Sequence, residues 1–183
     1  MTPTISVEDA RGLIQQGDII LFQGRYLVSC AYRAVTGWNW YTHAAIVAHW
    51  ETDWILLQAE AAGVQAVELR NAVAQYNGLS DWYALKEECR RKLDLERMLH
   101  EARRDLGAPF GVVQFLLHIT HWWLGYNAPR TRRHARAYFC SQYVAHCFRK
   151  GGLPLAPMSD IDTMPDDLSR SDCLEGPKAL RIT

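Results

Sequence analysis

Ala137-Tyr138-Phe139-Cys140-Ser141-Gln142-Tyr143-Val144-Ala145-His146-Cys147-Phe148 is the stretch that decides how the chain is read. An aromatic approach runs into a cysteine, and an amphipathic run follows at once, up to the stop signal Gly151-Gly152. The pattern predicts a helix with Cys140 at or just before its first turn. Backbone N–H groups there lack intrahelical acceptors, and the macrodipole favours negative charge. A thiol so placed ionises more readily than a free one, whose pKa is roughly 8.5. Cys140 is therefore a candidate nucleophile. The rest of the chain has to supply a base, a group to orient that base, and a groove.

Bulk composition sets the class. The chain has 183 residues, 49% hydrophobic and 22% charged, which suits one α+β domain over residues 1–183 with a proper core. The net charge of zero gives no overall field toward nucleic acid. Five cysteines (Cys30, Cys89, Cys140, Cys147, Cys173) are an odd number without a CxxC pair. That is neither a disulfide framework nor a zinc knuckle, and it points to a reducing compartment. The start Met1-Thr2-Pro3-Thr4-Ile5-Ser6 lacks a basic region followed by an apolar run, and no apolar run reaches the ~20 residues of a membrane span. The expectation is a cytoplasmic protein, with export lacking a cleaved signal left open.

Read in order, Ser6 caps a first helix running toward Gln16, with Asp9 completing a near capping box. Gly17 to Phe22 reads as a short buried strand behind a Gly-Asp turn, and Tyr26 to Val35 as a short helix. Gly37-Trp38-Asn39-Trp40-Tyr41 is an aromatic loop that either walls a pocket or covers the sheet. Strands are expected at 42–48, 54–60, 63–69 and 81–86, and the short turns between the first three suggest an antiparallel meander. Leu93 to Leu106 is a polar helix with Leu95, Leu99, Ala102 and Leu106 on one face, ended by Gly107-Ala108-Pro109. Phe110 to Leu124 reads as a buried or lid helix, and Gly125 to Arg136 as a basic loop. After the Cys140 helix the tail reads as turns, with an acidic stretch at Asp166-Asp167.

A cysteine nucleophile needs a histidine within reach and a third group to orient it. Of seven histidines, His100 lies on the polar helix, His118 and His121 on the apolar one, and His134 in the basic loop. His146 is six residues from Cys140 on the same helix and should point elsewhere. His43 and His49 remain, on one strand with the same parity. His43 opens that strand, where a groove can form, and is the preferred base. On the neighbouring strand Gln58 and Glu60 share a face, and either can accept the imidazole Nδ1–H. Glu60 is preferred because a carboxylate also stabilises the imidazolium. A metal site from His118, His121 and His146 is set aside, since no further ligand lies at a suggestive spacing.

The ordered segments Gly17-Asp18-Ile19-Ile20-Leu21, Thr42-His43-Ala44-Ala45-Ile46-Val47, Glu60-Ala61-Ala62-Gly63-Val64, Leu106-Gly107-Ala108-Pro109-Phe110 and Phe139-Cys140-Ser141-Gln142-Tyr143-Val144 carry a resemblance. The chain resembles the YiiX/YebB-like group of circularly permuted papain-fold hydrolases, relatives of the NlpC-type cell-wall peptidases. The resemblance implies an antiparallel sheet or small barrel packed against helices, with the nucleophile at a helix N-terminus and the histidine strand before the cysteine helix. It implies Cys140 as nucleophile, His43 as base and Glu60 at the acidic position, with Asp18 structural. Phe110 stands where the family often has tyrosine, and the segment from Val112 to Tyr126 has no counterpart in the pattern.

The chemistry implied is hydrolysis of an amide or ester through an acyl-enzyme, without a cofactor and in a bacterial setting. Peptidoglycan peptides and N-acyl amino acids are the expected substrates, and Trp40, Tyr41, Gln142 and Trp122 the expected substrate-binding residues. Ser141 is expected to cap the helix or add a donor at the site. Two other readings stand beside this one. A lipid acyltransferase or phospholipase of the same fold would use Trp122, Trp123 and Arg130 to Arg136 at a membrane surface. A non-catalytic ligand-binding module would keep the groove alone.

Overall fold

The computed structural model describes residues 2–24, 40–111 and 137–182. The strands are β1 (Thr4–Ser6), β2 (Ile19–Gly24), β3 (His43–Trp50), β4 (Asp53–Glu60), β5 (Gly63–Glu68), β6 (Gly78–Leu85) and β7 (Leu174–Arg181). They form one seven-stranded sheet in the order β1-β7-β6-β2-β3-β4-β5. Among the described residues β1 and β5 are the edge strands, so the expected antiparallel sheet packed against helices is present. The expected meander is present: β2, β3, β4 and β5 pair antiparallel in sequence. β6 then returns to the other side of β2.

The helices are α1 (Val7–Ala10), α2 (Leu69–Gln75), α3 (Glu87–Arg90), α4 (Leu95–Arg104), α5 (Cys140–Lys150) and α6 (Pro165–Ser169). Alternation along the strands divides the core in two. One face of the sheet carries Ala44, Ile46, Ala48 and Leu57, which pack with Met98 and Leu99 of α4 and with Tyr143, Val144, Cys147 and Phe148 of α5. The opposite face carries Phe22, Ala45, Val47 and Leu56, which pack with Val7 and Ala10 of α1 and Leu69 of α2.

Helix α5 forms because Cys140, Tyr143, Val144, Cys147 and Phe148 repeat at helical spacing and are all buried. The Tyr143 hydroxyl donates to the Ala102 carbonyl at 2.7 Å and ties α5 to α4. The Gly151-Gly152 stop acts as expected. Gly152, at φ +80°, turns the chain so that its N–H bonds Arg149 O at 3.1 Å and the Leu153 N–H bonds Phe148 O at 3.0 Å. That satisfies carbonyls a helix end leaves open.

Three of the motif segments lie side by side. At the β4–β5 turn Gly63 has φ +108°, and a Cβ there would stand 2.6 Å from the Ala108 carbonyl oxygen. This close approach lets Val64 N–H bond Ala108 O and Gly107 N–H bond Val64 O, both at 2.8 Å. The same strap then bridges Phe110 to Tyr138, with Gly111 N–H on Tyr138 O at 2.9 Å. Glu60 and Cys140 are thus carried on segments stitched to one another. Asp18 is buried and accepts from Gln15 N–H, Trp82 Nε1–H, Leu85 N–H and the Arg90 guanidinium.

The sequence reading needs several corrections. The tail is not all turns: β7 inserts between β1 and β6. Its Gly176-Pro177 reads as a breaker, but these two residues fall at a register shift opposite Trp82 to Ala84, where a proline is tolerated. β1 has three residues, too few to show a period. The first helix is only Val7–Ala10, and Gly12 follows it in a turn, in keeping with its low helix propensity. Its cap is as expected, with Asp9 N–H on Ser6 Oγ at 3.0 Å. The expected helices at Tyr26 to Val35 and Phe110 to Leu124, the basic loop to Arg136, and Trp38 of the aromatic loop lie wholly or largely outside the described residues.

Candidate active site

Cys140 is the first residue of α5, after Phe139 in extended backbone (φ −95°, ψ 167°). The first helical bond runs from Tyr143 N–H to Phe139 O at 2.9 Å, so the N–H groups of the opening turn point away from any helical acceptor. The sulfur lies 4.0 Å from the Thr42 carbonyl oxygen, at the threshold of β3. Helix and imidazole approach from opposite faces of the sheet: α5 packs on one, while His43 shares the other with Phe22 and Ala45. They meet at the end of β3, where the strand gives out.

His43 opens β3, directly across from Phe22 on β2. The β3–β4 register pairs Ala45 with Gln58, and carrying it on two residues sets His43 against Glu60. The ring lies 5.3 Å from that of Phe22 and stacks at 6.5 Å on that of Tyr76. It is buried, 8% exposed, and close enough to Cys140 for the thiol to influence its ionisation. Its Nε2 is 2.9 Å from Gln58 Oε1 and 3.6 Å from Glu60 Oε1. The first distance is a hydrogen bond and the second is a charge contact. Glu60 is itself held, because Gln65 donates to its Oε2 at 2.8 Å.

The nitrogen facing the polar pair is therefore Nε2, not the Nδ1 expected from sequence. An amide oxygen accepts only, so Gln58 fixes the proton on Nε2. The neutral ring then keeps its lone pair on Nδ1. Burial by itself disfavours the imidazolium. The hydrogen bond and charge of Cys140, then the hydrogen bond of Gln58 and the charge of Glu60, outweigh it, and the pKa of His43 rises above its ordinary 6.5.

The other expected residues divide. Trp40 is 51% exposed just before β3 and offers its ring to the surface. Tyr41 does not: it is 4% exposed, with its hydroxyl donating to Asp81 at 2.8 Å and lying 3.0 Å from the Tyr83 hydroxyl. Its side chain is committed to the core. Gln142 folds back on its own helix, its Oε1 accepting from Phe139 N–H at 3.4 Å. Ser141 is buried and donates to Thr163 O at 2.7 Å, so its hydroxyl is committed away from the site. Trp122 lies outside the described residues, as do Trp123 and Arg130 to Arg136.

Sequence reasoning missed Gln65 and Asp166. The Asp166 carboxylate accepts from the backbone N–H groups of Trp40 and Tyr41 at 2.6 and 2.9 Å. Next to the imidazole, a cleft of about 430 Å³ is lined by Phe22, Gln58, Glu60, Gln65, Gln75 and Tyr76, among others.

The remaining described histidines are placed elsewhere. His49 and His100 line a separate, open cleft with Arg97 and Arg103. His146 faces Asp160, 3.3 Å from its carboxylate. Among the other thiols, burial pushes Cys147 well above its ordinary value, with Asp105 adding to the rise. Burial and the hydrogen bond of Cys89 push Cys173 up to about 11.

A family described as permuted papain-like amidase enzyme, YaeF/YiiX, C92 family, matches residues 13–164. The chain belongs to that family. This permuted papain-like amidase is a cysteine hydrolase acting on amides. No curated protein sequence matches it. Among solved structures, the one described as metalloprotein yiiX from Escherichia coli O157:H7 superposes with a TM-score of 0.64 at 15% identity, covering 92% of this chain and 97% of its own. That likeness carries the fold. Among the described residues no group of three or more His, Cys, Asp or Glu side chains could hold a metal ion. Nor, among the described residues, is any helix long and apolar enough to cross a membrane.

Proposed function

We propose that the amidase works through Cys140 and His43, with Gln58 and Glu60 holding the imidazole, on short peptides or N-acyl amino acids. The observation that carries the reading is that the Cys140 sulfur lies 4.0 Å from the carbonyl of Thr42, the residue before His43, while His43 Nε2 is engaged by Gln58 at 2.9 Å. His43 Nδ1 takes the thiol proton as sulfur attacks the amide carbonyl carbon. The carbonyl oxygen becomes an oxyanion, received by backbone N–H groups at the start of α5, that of Cys140 among them. Collapse breaks the C–N bond, and His43 returns the proton to the departing amine. Water then attacks the thioester, giving its proton to His43. The C–S bond breaks, the carboxylic acid leaves, and the proton returns to sulfur.

The cleft beside His43 supports an amino-acid-like substrate over a lipid tail. Gln58, Gln65 and Gln75 offer amide donors and acceptors there, Glu60 offers a charge, and Phe22 and Tyr76 give flat apolar walls. The 41% exposure of the Glu60 side chain leaves it open to a cationic or amino group. Trp40 stands at the surface near the same strand end. The test is Cys140→Ala and His43→Ala against a panel of peptidoglycan stem peptides, N-acyl amino acids and acyl lipids. Both changes should abolish peptide or acyl-amino-acid cleavage. Activity that survives both ends the proposal, and turnover of acyl lipid alone moves the substrate to the lipid class.

A further inference from the structure

We infer that Thr163 to Asp166 is a clamp that sets the separation of Cys140 and His43, with Asp166 and Ser141 as its two positioning residues. This rests on the reading that these two groups are the reacting pair. The clamp has two jaws on four consecutive residues. On one side the carbonyl oxygen of Thr163 takes the Ser141 hydroxyl at 2.7 Å, and Ser141 directly follows the thiol residue. On the other, the two oxygens of Asp166 take the N–H groups of Trp40 and Tyr41 at 2.6 and 2.9 Å. Those residues lead straight through Thr42, whose carbonyl touches the sulfur, into His43.

The clamp is itself fixed. Thr163 is fully buried and its hydroxyl donates to Ser159 O at 2.9 Å. Met164 N–H is held by Asp167 at 2.8 Å, and Ser169 Oγ by Asp166 O at 2.7 Å. Asp166 is 4% exposed, and its bonds to a backbone 125 positions away are charge-assisted. No other contact described for this site ties the start of the α5 helix and the approach to β3 to a single short piece of chain. A reacting pair set by two elements from opposite faces of a sheet needs such a tie. A misplacement of about 1 Å costs an enzyme about 100-fold.

The test uses Asp166→Asn and Ser141→Ala in the full chain. Asn keeps one acceptor and turns an N–H toward a backbone N–H, so at least one jaw bond is lost. Three readouts are taken: turnover of the amide that the panel above identifies, the rate of Cys140 alkylation by iodoacetamide, and the NMR titration midpoint of His43. We expect Asp166→Asn to lower kcat about 100-fold with KM little changed. Alkylation should slow severalfold, and the His43 midpoint should move down as it parts from the sulfur. Ser141→Ala should act in the same direction more weakly, and the double variant should lose less than the product of the two, because both act through one segment.

A residue that only stabilises the fold would lower the melting temperature and leave all three readouts of the folded protein at wild-type values. That result overturns the clamp. Should Asp166→Asn not fold, Ser141→Ala decides alone by the same readouts. The two readings fail separately. Survival of activity in Cys140→Ala removes the reacting pair, while loss there with wild-type behaviour in the clamp variants removes only the clamp.

Discussion

Gln58 Oε1 lies 2.9 Å from His43 Nε2, closer than the carboxylate of Glu60 at 3.6 Å. The amide holds the ring by a hydrogen bond and the carboxylate by its field. A buried hydrogen bond contributes about 1.4 kcal/mol, which corresponds to about tenfold in rate if it is realised in the transition state. Gln58→Ala should therefore lower kcat about tenfold or more. Glu60→Gln, which removes charge and keeps shape, should cost less. Steady-state kinetics on both variants checks the order, and a larger loss in Glu60→Gln would restore the carboxylate as the main support.

The raised pKa of His43 depends first on outweighing burial through its bond to Cys140. A group raised in the folded state stabilises fully below its unfolded value, about 6.5 for histidine, and that stability is lost as pH rises through the folded value. Cys140→Ala removes the thiol's raising influence on the ring and leaves burial in place. The His43 midpoint should drop below that of the wild type, and the alkaline loss of stability should begin at lower pH. NMR titration of the imidazole and urea melts against pH measure the two shifts. An unchanged midpoint would mean that the thiol does not act on the ring.

Thiol labelling should be selective. Burial makes Cys147 a poor thiolate, and burial with the Cys89 hydrogen bond does the same for Cys173. Iodoacetamide at neutral pH should reach Cys140 ahead of both, as read by peptide mass mapping over time. Modification of Cys147 or Cys173 before Cys140 would contradict the site.

The buried pair of Asp18 and Arg90 should matter for folding. Asp18 gathers four donors, two of them the backbone N–H groups of Gln15 and Leu85 and one the Arg90 guanidinium, so its removal strips the partner from a largely buried cation. Asp18→Ala should cost about 3–5 kcal/mol in urea unfolding. A loss under 1 kcal/mol would show that water replaces the carboxylate at little cost.

What was legible in the sequence was local. Cys140 announces itself by an apolar repeat that begins on it, and His43 by opening a small-residue strand. Glu60 and Gln58 follow from strand parity, but parity cannot rank two residues on one face. The register carried past Ala45 and Gln58 sets Glu60 across from His43, yet the Gln65 amide holds one Glu60 oxygen and the ring's hydrogen bond goes to Gln58. Tyr41 reads like Trp40 in a run of aromatics, and only the partners of its hydroxyl, Asp81 and Tyr83, send it inward. Asp166 lies in an acidic stretch with the look of a solvated turn, and no short-range pattern links it to residues 40 and 41. β7 was hidden because Gly176-Pro177 is a breaker everywhere except at a register shift.

The bond between Asp166 and Tyr41 spans 125 positions of chain. A contact of that separation carries a large loop-closure entropy, which must be met before the contact contributes anything. A chain cut short before residue 163 would contain thiol and imidazole without the order between them. On the clamp reading, the geometry of the Cys140–His43 pair depends on chain that follows both residues, so a truncation before residue 163 should keep the thiol and lose its enhanced alkylation rate.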